Sequence, residues 1–509
     1  MRASVRPASS EAGLSFSGVA LLGAVLVFAP LIKGGNRPLP LLILELAAIL
    51  LLSLLLLGPG IKQHLSHPLL IALGALLALP LVQFLPLPEF AWNWLAGRDF
   101  YAAALSAVGA TADHRTLSLI PHATESALLV LLLPVAVFLA TVCTSEAQLK
   151  QLLRLFIGLA VLQAIIGLAQ FGTGSLTVLW PSEGGSIGNA YGTYPNYDHF
   201  AGLLEMALPL VLALLIAHID VGSHRAPRYQ RRSTLRQRLS QLFSSGLRFN
   251  TVAIYSGAAL AILLGLIFSR SRTGIALAML GILLCALVFG SRVGGQRSTR
   301  LVTLFTVIGL ALALEIGLAP VLTRFADGGL VDNTRLSIYA GTMQGIREFF
   351  PFGSGLGSYP AVFRRFQPGD VPLFVNHAHN DYLEWLFEGG LAAAMLMLAF
   401  LALYVARWRA IWPRGSARWE AISFVRIAAG ISLLLMGLHG LIDFNLHIPA
   451  NAAFFAFIAG IFFHRGAGDR LAQQRVMPDP LEPDTQPSPD TQPSPTPPPA
   501  IDLRNPFAD

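Results

Sequence analysis

The segment Asn376-His377-Ala378-His379-Asn380-Asp381-Tyr382-Leu383-Glu384, continuing to Glu388-Gly389-Gly390, sets two histidines, three acids and two amides just ahead of an apolar run. Such groups are costly beside a membrane unless they are paired or at work. Asp381 is placed to cap the short helix that follows, with Glu384 three residues on in a capping-box arrangement and Gly389-Gly390 ending it. His379 then stands at the helix entrance. A histidine there suits a general base, and it suits a plain helix cap equally; the residues alone leave both readings open. His377 and His379 are two apart, and nothing nearby completes an i,i+4 ligand pair, so local spacing predicts no metal site.

Four other groups carry chemistry of their own. Ser269-Arg270-Ser271-Arg272 is a tight turn between two apolar runs, and its planar guanidinium groups suit a diphosphate. Snorkelling arginines at an ordinary interface would read the same way. Arg335 falls in the first turn of an expected amphipathic helix, where a cation is unfavourable for the helix itself, which argues for a ligand or an acid partner. Arg364 and Arg365 read as surface residues. Gly188 to His199 interleaves Asn189, Tyr191, Tyr194, Asn196 and Tyr197. Amides and aromatic rings side by side suit a sugar, and they suit a Gly/Pro/Asn turn with interfacial aromatics as well. Finally, His439 and Asp443 are i,i+4 and are expected to pair with one another as a structural couple. Glu45 and Glu315 are intramembrane acids with no assigned role, and glycines 353, 355 and 357 read as a loop device, not a nucleotide fingerprint.

The elements that must position these groups are membrane spans. Hydrophobic residues make up 54% of the 509 and charged residues 12%, and the mean hydropathy is +0.61, well outside the soluble range. Twelve apolar runs are about one bilayer long, at roughly 14–32, 39–57, 68–87, 124–142, 152–171, 200–219, 252–268, 273–290, 301–318, 391–406, 425–442 and 449–463. The first reads as a retained span, because it is too long for a removed signal peptide. The 220–251 loop carries seven Arg against Asp220. With both termini cytoplasmic, 24 of the 35 Lys and Arg fall on the cytoplasmic side and 11 opposite, as the positive-inside rule requires. That asymmetry accounts for the pI near 9.7 without nucleic acid. Cys143 and Cys285 form neither a disulfide framework nor a metal spacing.

Three periplasmic loops break the pattern: 88–123, whose Trp92, Trp94, Phe100 and Tyr101 suit an interface; 172–199; and 319–390, long enough to need folded structure. Within the last, a helix from Asp332 or Asn333 to about Phe350 should turn Leu336, Tyr339, Met343, Ile346 and Phe350 to one apolar face, with Pro351 and Gly353 stopping it. The chain divides into a membrane domain, 1–465, and a Pro-rich tail, 466–509, with two copies of Pro-Asp-Thr-Gln-Pro-Ser and too little apolar surface to order itself.

Read together and in order, Gly192-Thr193-Tyr194-Pro195-Asn196, Ser269-Arg270-Ser271-Arg272, Arg335-Leu336, Pro351-Phe352-Gly353-Ser354-Gly355, His377 through Leu391 and Asp443-Phe444-Asn445 resemble the O-antigen ligase and polymerase family, over roughly 185–465. The resemblance implies an all-α, polytopic membrane glycosyltransferase of GT-C type, with about twelve transmembrane helices and a large helical periplasmic loop. It implies a glycan donor on undecaprenyl diphosphate, membrane lipids around it, and a glycan, lipid A-core or protein acceptor. No metal, cofactor, nucleotide sugar or nucleic acid enters. By the same resemblance His379 is the catalytic residue, Arg270 or Arg272 and Arg335 bind the diphosphate, and His377, Asn380, Asp381, Tyr194 and Asn196 are candidates for glycan or acceptor contacts. The setting is a bacterial inner membrane with the site on the periplasmic face. A flippase or other transporter would also suit twelve spans, but transporters show repeated halves and midplane sites, whereas here the polar residues gather in external loops.

Overall fold

The computed structural model describes residues 13–58, 64–110, 113–173, 188–223, 251–290, 307, 333–412 and 419–465. Apolar runs of this length can satisfy their backbone in a membrane only as helices, and the described chain is helical almost throughout. The helices are α1 (Phe16–Leu31), α2 (Pro38–Leu57), α3 (His67–Gln83), α4 (Glu89–Asn93), α5 (Asp99–Ala107), α6 (Pro121–Val142), α7 (Glu146–Thr173), α8 (Tyr197–Ser223), α9 (Thr251–Ser269), α10 (Arg272–Gly290), α11 (Asn333–Phe349), α12 (Tyr359–Val362), α13 (Asp381–Ile411), α14 (Ala421–His439) and α15 (Pro449–Phe463). A two-stranded antiparallel ribbon, β1 (Pro86–Pro88) with β2 (His114–Thr116), is the one departure from all-α among the described residues.

Eight of these helices (α2, α6–α10, α13 and α14) have a stretch long and apolar enough to cross a membrane, and α1, α3 and α15 are shorter apolar helices. They coincide with eleven of the twelve expected runs. The run at 301–318 lies outside the described residues apart from Val307, as do the Arg-rich loop beyond Ser223, Glu315 and the tail.

The middle of α8, His199 to Ala217, is fully enclosed, packed by α7, α9, α10, α14 and α15. α2 and α13 instead leave most of their surface outside, for lipid. Cys143 and Cys285 are buried and unpaired.

A second, smaller core stands apart from the spans. Ile338, Phe349, Tyr359, Val362, Phe363, Phe366, Val371, Val375, Ala378 and Phe387 form it, with Tyr101, Leu119, Ile120 and Ile346 against it. The long loop is therefore folded from Asn333 onward, and the 88–123 loop folds with it. Trp92 is buried and donates to Thr116 O at 2.9 Å, whereas Trp94 stays exposed. Arg98, wholly buried, spans the two loops: its Nη2 donates to Leu117 O at 2.7 Å and to Gly353 O at 3.0 Å. Burial pulls its pKa down to about 10, against the pull of Tyr101.

The apolar face expected for α11 is not the buried one. Ile338, Thr342 and Phe349 turn inward, while Leu336, Met343 and Phe350 are exposed. The inward stripe is lined by Gly341 and Gly345, which let Phe366 and Phe387 approach, so small residues and not the bulkiest ones mark the contact.

α13 does not end at Gly389-Gly390. It kinks there, at a φ of 55° and ψ of −137° that glycine alone adopts readily, with a would-be Cβ only 2.2 Å from Pro351 O. The break frees the Phe387 and Glu388 carbonyls. Ser354 N and Gly355 N take them at 3.0 and 2.9 Å, and Gln83 Nε2 takes Glu388 O at 3.1 Å. Gly353, Gly355 and Gly357 all have positive φ there, as a loop device requires.

Candidate functional site

The start of α13 is capped by Asn380, one residue earlier than expected. Its Oδ1 accepts from Leu383 N at 3.0 Å and its Nδ2 donates to Leu441 O at 2.8 Å. Asp381 instead turns inward to His447 Nδ1, at 2.8 Å. No capping box forms with Glu384: its carboxylate accepts from Ala378 N and meets His377 Nδ1, each at 2.8 Å. Just before the cap, His379 has φ +52°, one of three non-glycine residues with positive φ among those described. This left-handed turn carries His377 and His379 onto one ring, Phe444. His377 stacks on it at 4.4 Å, His379 meets it edge-on at 4.9 Å, and His199 from α8 meets it edge-on at 4.8 Å.

His379 is a third exposed, and its Nδ1 lies 3.2 Å from Oδ1 of buried Asp443. With Nδ1–H donating to that carboxylate, Nε2 is the ring nitrogen left to accept a proton. Burial alone would raise the Asp443 pKa, but the hydrogen bond from His379 and the charges of His199 and His439 outweigh it and hold the carboxyl well below its usual range. The second oxygen of Asp443 faces His199 Nε2 at 3.7 Å. Backbone support is equally direct, since Tyr339 on α11 donates its hydroxyl to His379 O at 2.8 Å.

The expected His439–Asp443 pair does not form. His439 Nδ1 sits 3.0 Å from both oxygens of Glu205 on α8, inside the helix packing. The spacing was right for a helix, but α14 ends at His439, so Asp443 lies in the turn beyond it and aims elsewhere. Glu205 itself gave no sequence signal beyond being an acid inside an apolar run.

Arg335, at the start of α11, donates to Ile442 O at 2.9 Å, one residue from Asp443. Arg270 and Arg272 are both exposed and flank Ser271, whose hydroxyl bonds Asp198, a neighbour of His199 that also feels the Arg335 charge. Arg270 has positive φ, and its guanidinium lies 5.6 Å from the Phe171 ring centre. Arg335 is thus tied to the turn that carries Asp443, and Ser271, between Arg270 and Arg272, to Asp198. Arg364 lies over Phe374, and Arg365 pairs with Glu348 at 2.5 Å; both belong to the second core's surface.

Of the residues weighed for glycan contact, His377 is partly exposed. Asn380 and Asp381 are buried in helix-start bonds. Tyr194 is buried too, its hydroxyl 3.0 Å from Asn451 Oδ1, and Asn196 Oδ1 accepts from Asp198 N at the start of α8. Tyr194, Asn380 and Asp381 are thus enclosed, while Asn196 stays partly exposed. The 188–199 turn is pinned to α7 as well, by Gln170 to Gly192 O at 2.6 Å and Gln163 to Thr193 at 2.8 Å.

A third ligand-type residue joins His377 and Glu384 from far along the chain: His447 Nε2 lies 3.2 Å from Glu384 Oε1. Burial opposes charge on His447, yet the Glu384 and Asp381 carboxylates outweigh it and push its pKa up to about 10. The expectation of no metal spacing weighed only near neighbours, and the fold supplies the distant one.

No curated protein matches the chain. Residues 257–398 match the family model described as O-Antigen ligase. That stretch holds Arg270, Arg272, Arg335 and the whole His377–Glu388 motif, and over it this multi-pass membrane protein is similar to the O-antigen ligase family.

Proposed function

We propose that this protein transfers a glycan from undecaprenyl diphosphate to an acceptor hydroxyl at the periplasmic face of a bacterial inner membrane, as an O-antigen ligase-like enzyme or a surface-polysaccharide polymerase. The acceptor is lipid A-core, a second lipid-linked glycan or a protein. The full topology is twelve spans of GT-C type with both termini cytoplasmic, which agrees with the charge asymmetry across the loops.

In the reaction the acceptor oxygen bonds to the anomeric carbon as that carbon's bond to the diphosphate breaks. His379 Nε2 takes the acceptor's proton. Asp443, on the other ring nitrogen, holds the imidazole in the accepting tautomer and balances the imidazolium that forms. Arg335 with Arg270 or Arg272 holds the leaving diphosphate and neutralises its growing charge. Guanidinium stays charged at any working pH, so these residues supply without a metal the positive charge the diphosphate needs.

One observation carries the reading: an accessible histidine, on the family-matching segment, held by a buried carboxylate with its other nitrogen free to act. Deleting the gene and analysing surface glycan and lipid-linked intermediates tests it. The expected result is shortened or missing surface glycan, with finished units accumulating on the lipid carrier in the periplasmic leaflet. Lipid-linked units confined to the cytoplasmic leaflet would instead identify a flippase.

A further inference from the structure

Beside the His379–Asp443 pair lies a second cluster that the transfer reaction does not use. His377 Nδ1 and His447 Nε2 stand 2.8 and 3.2 Å from the same oxygen, Oε1 of Glu384. All three atoms lie within 4.8 Å of one another. Zinc bound tetrahedrally by nitrogen and oxygen at about 2.0–2.1 Å sets its ligand atoms about 3.3 Å apart. Two of the three edges therefore need to move by about half an ångström or less to receive such an ion.

The outer partners are arranged to match. Asp381 Oδ1 takes the other nitrogen of His447 at 2.8 Å, the carboxylate–imidazole arrangement that turns a histidine's lone pair toward a metal. Ala378 N–H holds Oε2 of Glu384 at 2.8 Å and leaves Oε1 to converge with the rings. Phe444, stacked on His377, limits that ring's swing. Glu384 is 2% exposed while the His377 and His447 side chains are 25% and 21% exposed, so the cluster has a buried anchor and an open side.

We propose that His377, Glu384 and His447 form a site for a zinc-class divalent ion, with Asp381 as the outer partner of His447. The ion clips the segment that carries His379 to the turn Asn445–His447. Its role is structural, apart from the diphosphate and from the acceptor proton.

The test uses full-length, tag-free protein in detergent, stripped with a chelator and titrated with Co²⁺ and then Zn²⁺. Wild type should show the intense visible bands of low-coordinate cobalt, saturate at one ion per chain, and lose the bands to zinc. Asp381→Asn should lower Co²⁺ affinity by roughly 10–100-fold, and His447→Gln or Glu384→Gln by at least as much. His379→Gln, which removes no ligand, should bind as wild type does. Wild-type protein without stoichiometric zinc uptake or cobalt bands would overturn the proposal, whatever the variants do. So would a His447→Gln protein with the wild-type spectrum and affinity.

Discussion

Replacing Asp443 by asparagine tests how the histidine is poised. The side chain is 3% exposed, and one oxygen stands 3.2 Å from His379 Nδ1 while the other faces His199 at 3.7 Å. The amide would keep the size and could keep one hydrogen bond, but it lacks the charge that balances an imidazolium and can hold either tautomer. The variant therefore forfeits most of a base's contribution, roughly 10²–10⁴-fold in rate, or about 3–5 kcal/mol of barrier. Single-turnover transfer in proteoliposomes, with lipid-linked donor and acceptor supplied, should show this fall with donor affinity unchanged. A linked effect appears in stability. A carboxyl held below its unfolded value stabilises the fold above that value, about pH 4, and loses the effect as pH falls through its folded value. The melting difference between wild type and Asp443→Asn should thus hold steady from about pH 5 to 8 and shrink in stronger acid. Near-wild-type single-turnover rates in folded Asp443→Asn would refute the idea that this carboxylate poises His379.

Arg335→Ala should weaken donor binding, and Arg335→Lys should restore it only in part, because a point charge cannot reproduce the planar fork; donor titration against transfer rate reads both. Arg98→Ala should leave the Leu117 and Gly353 carbonyls without their guanidinium partner, at roughly 1–3 kcal/mol for each one left unsatisfied, lowering the melting temperature in detergent. A cysteine placed within 360–370 should react with a membrane-impermeant thiol reagent in intact cells, and one within 225–240 should not; reversed labelling would invert the topology.

The spans were legible because a bilayer imposes length and apolarity together, and both survive in a bare sequence. The His377–Glu388 motif was legible for the opposite reason, as polar groups where apolar ones were expected. The partners were not. Asp443 for His379, Glu205 for His439 and His447 for Glu384 are pairings across 64, 234 and 63 positions, which no local spacing reports. The cap was misplaced by one residue because His379 turns left-handed and hands the boundary to Asn380. Tyr194 has a side chain suited to a sugar, yet it is buried with its hydroxyl against Asn451. Composition tells what a side chain is able to do, and burial decides whether it is available to do it.

The most direct test of the central claim is glycan transfer by His379→Ala in membranes that hold a normal amount of the protein and of lipid-linked donor. If His379 is the base, donor still binds and transfer falls by roughly 10²–10⁴-fold. Full transfer by His379→Ala would contradict the account and return this segment to the role of a helix entrance at the membrane surface.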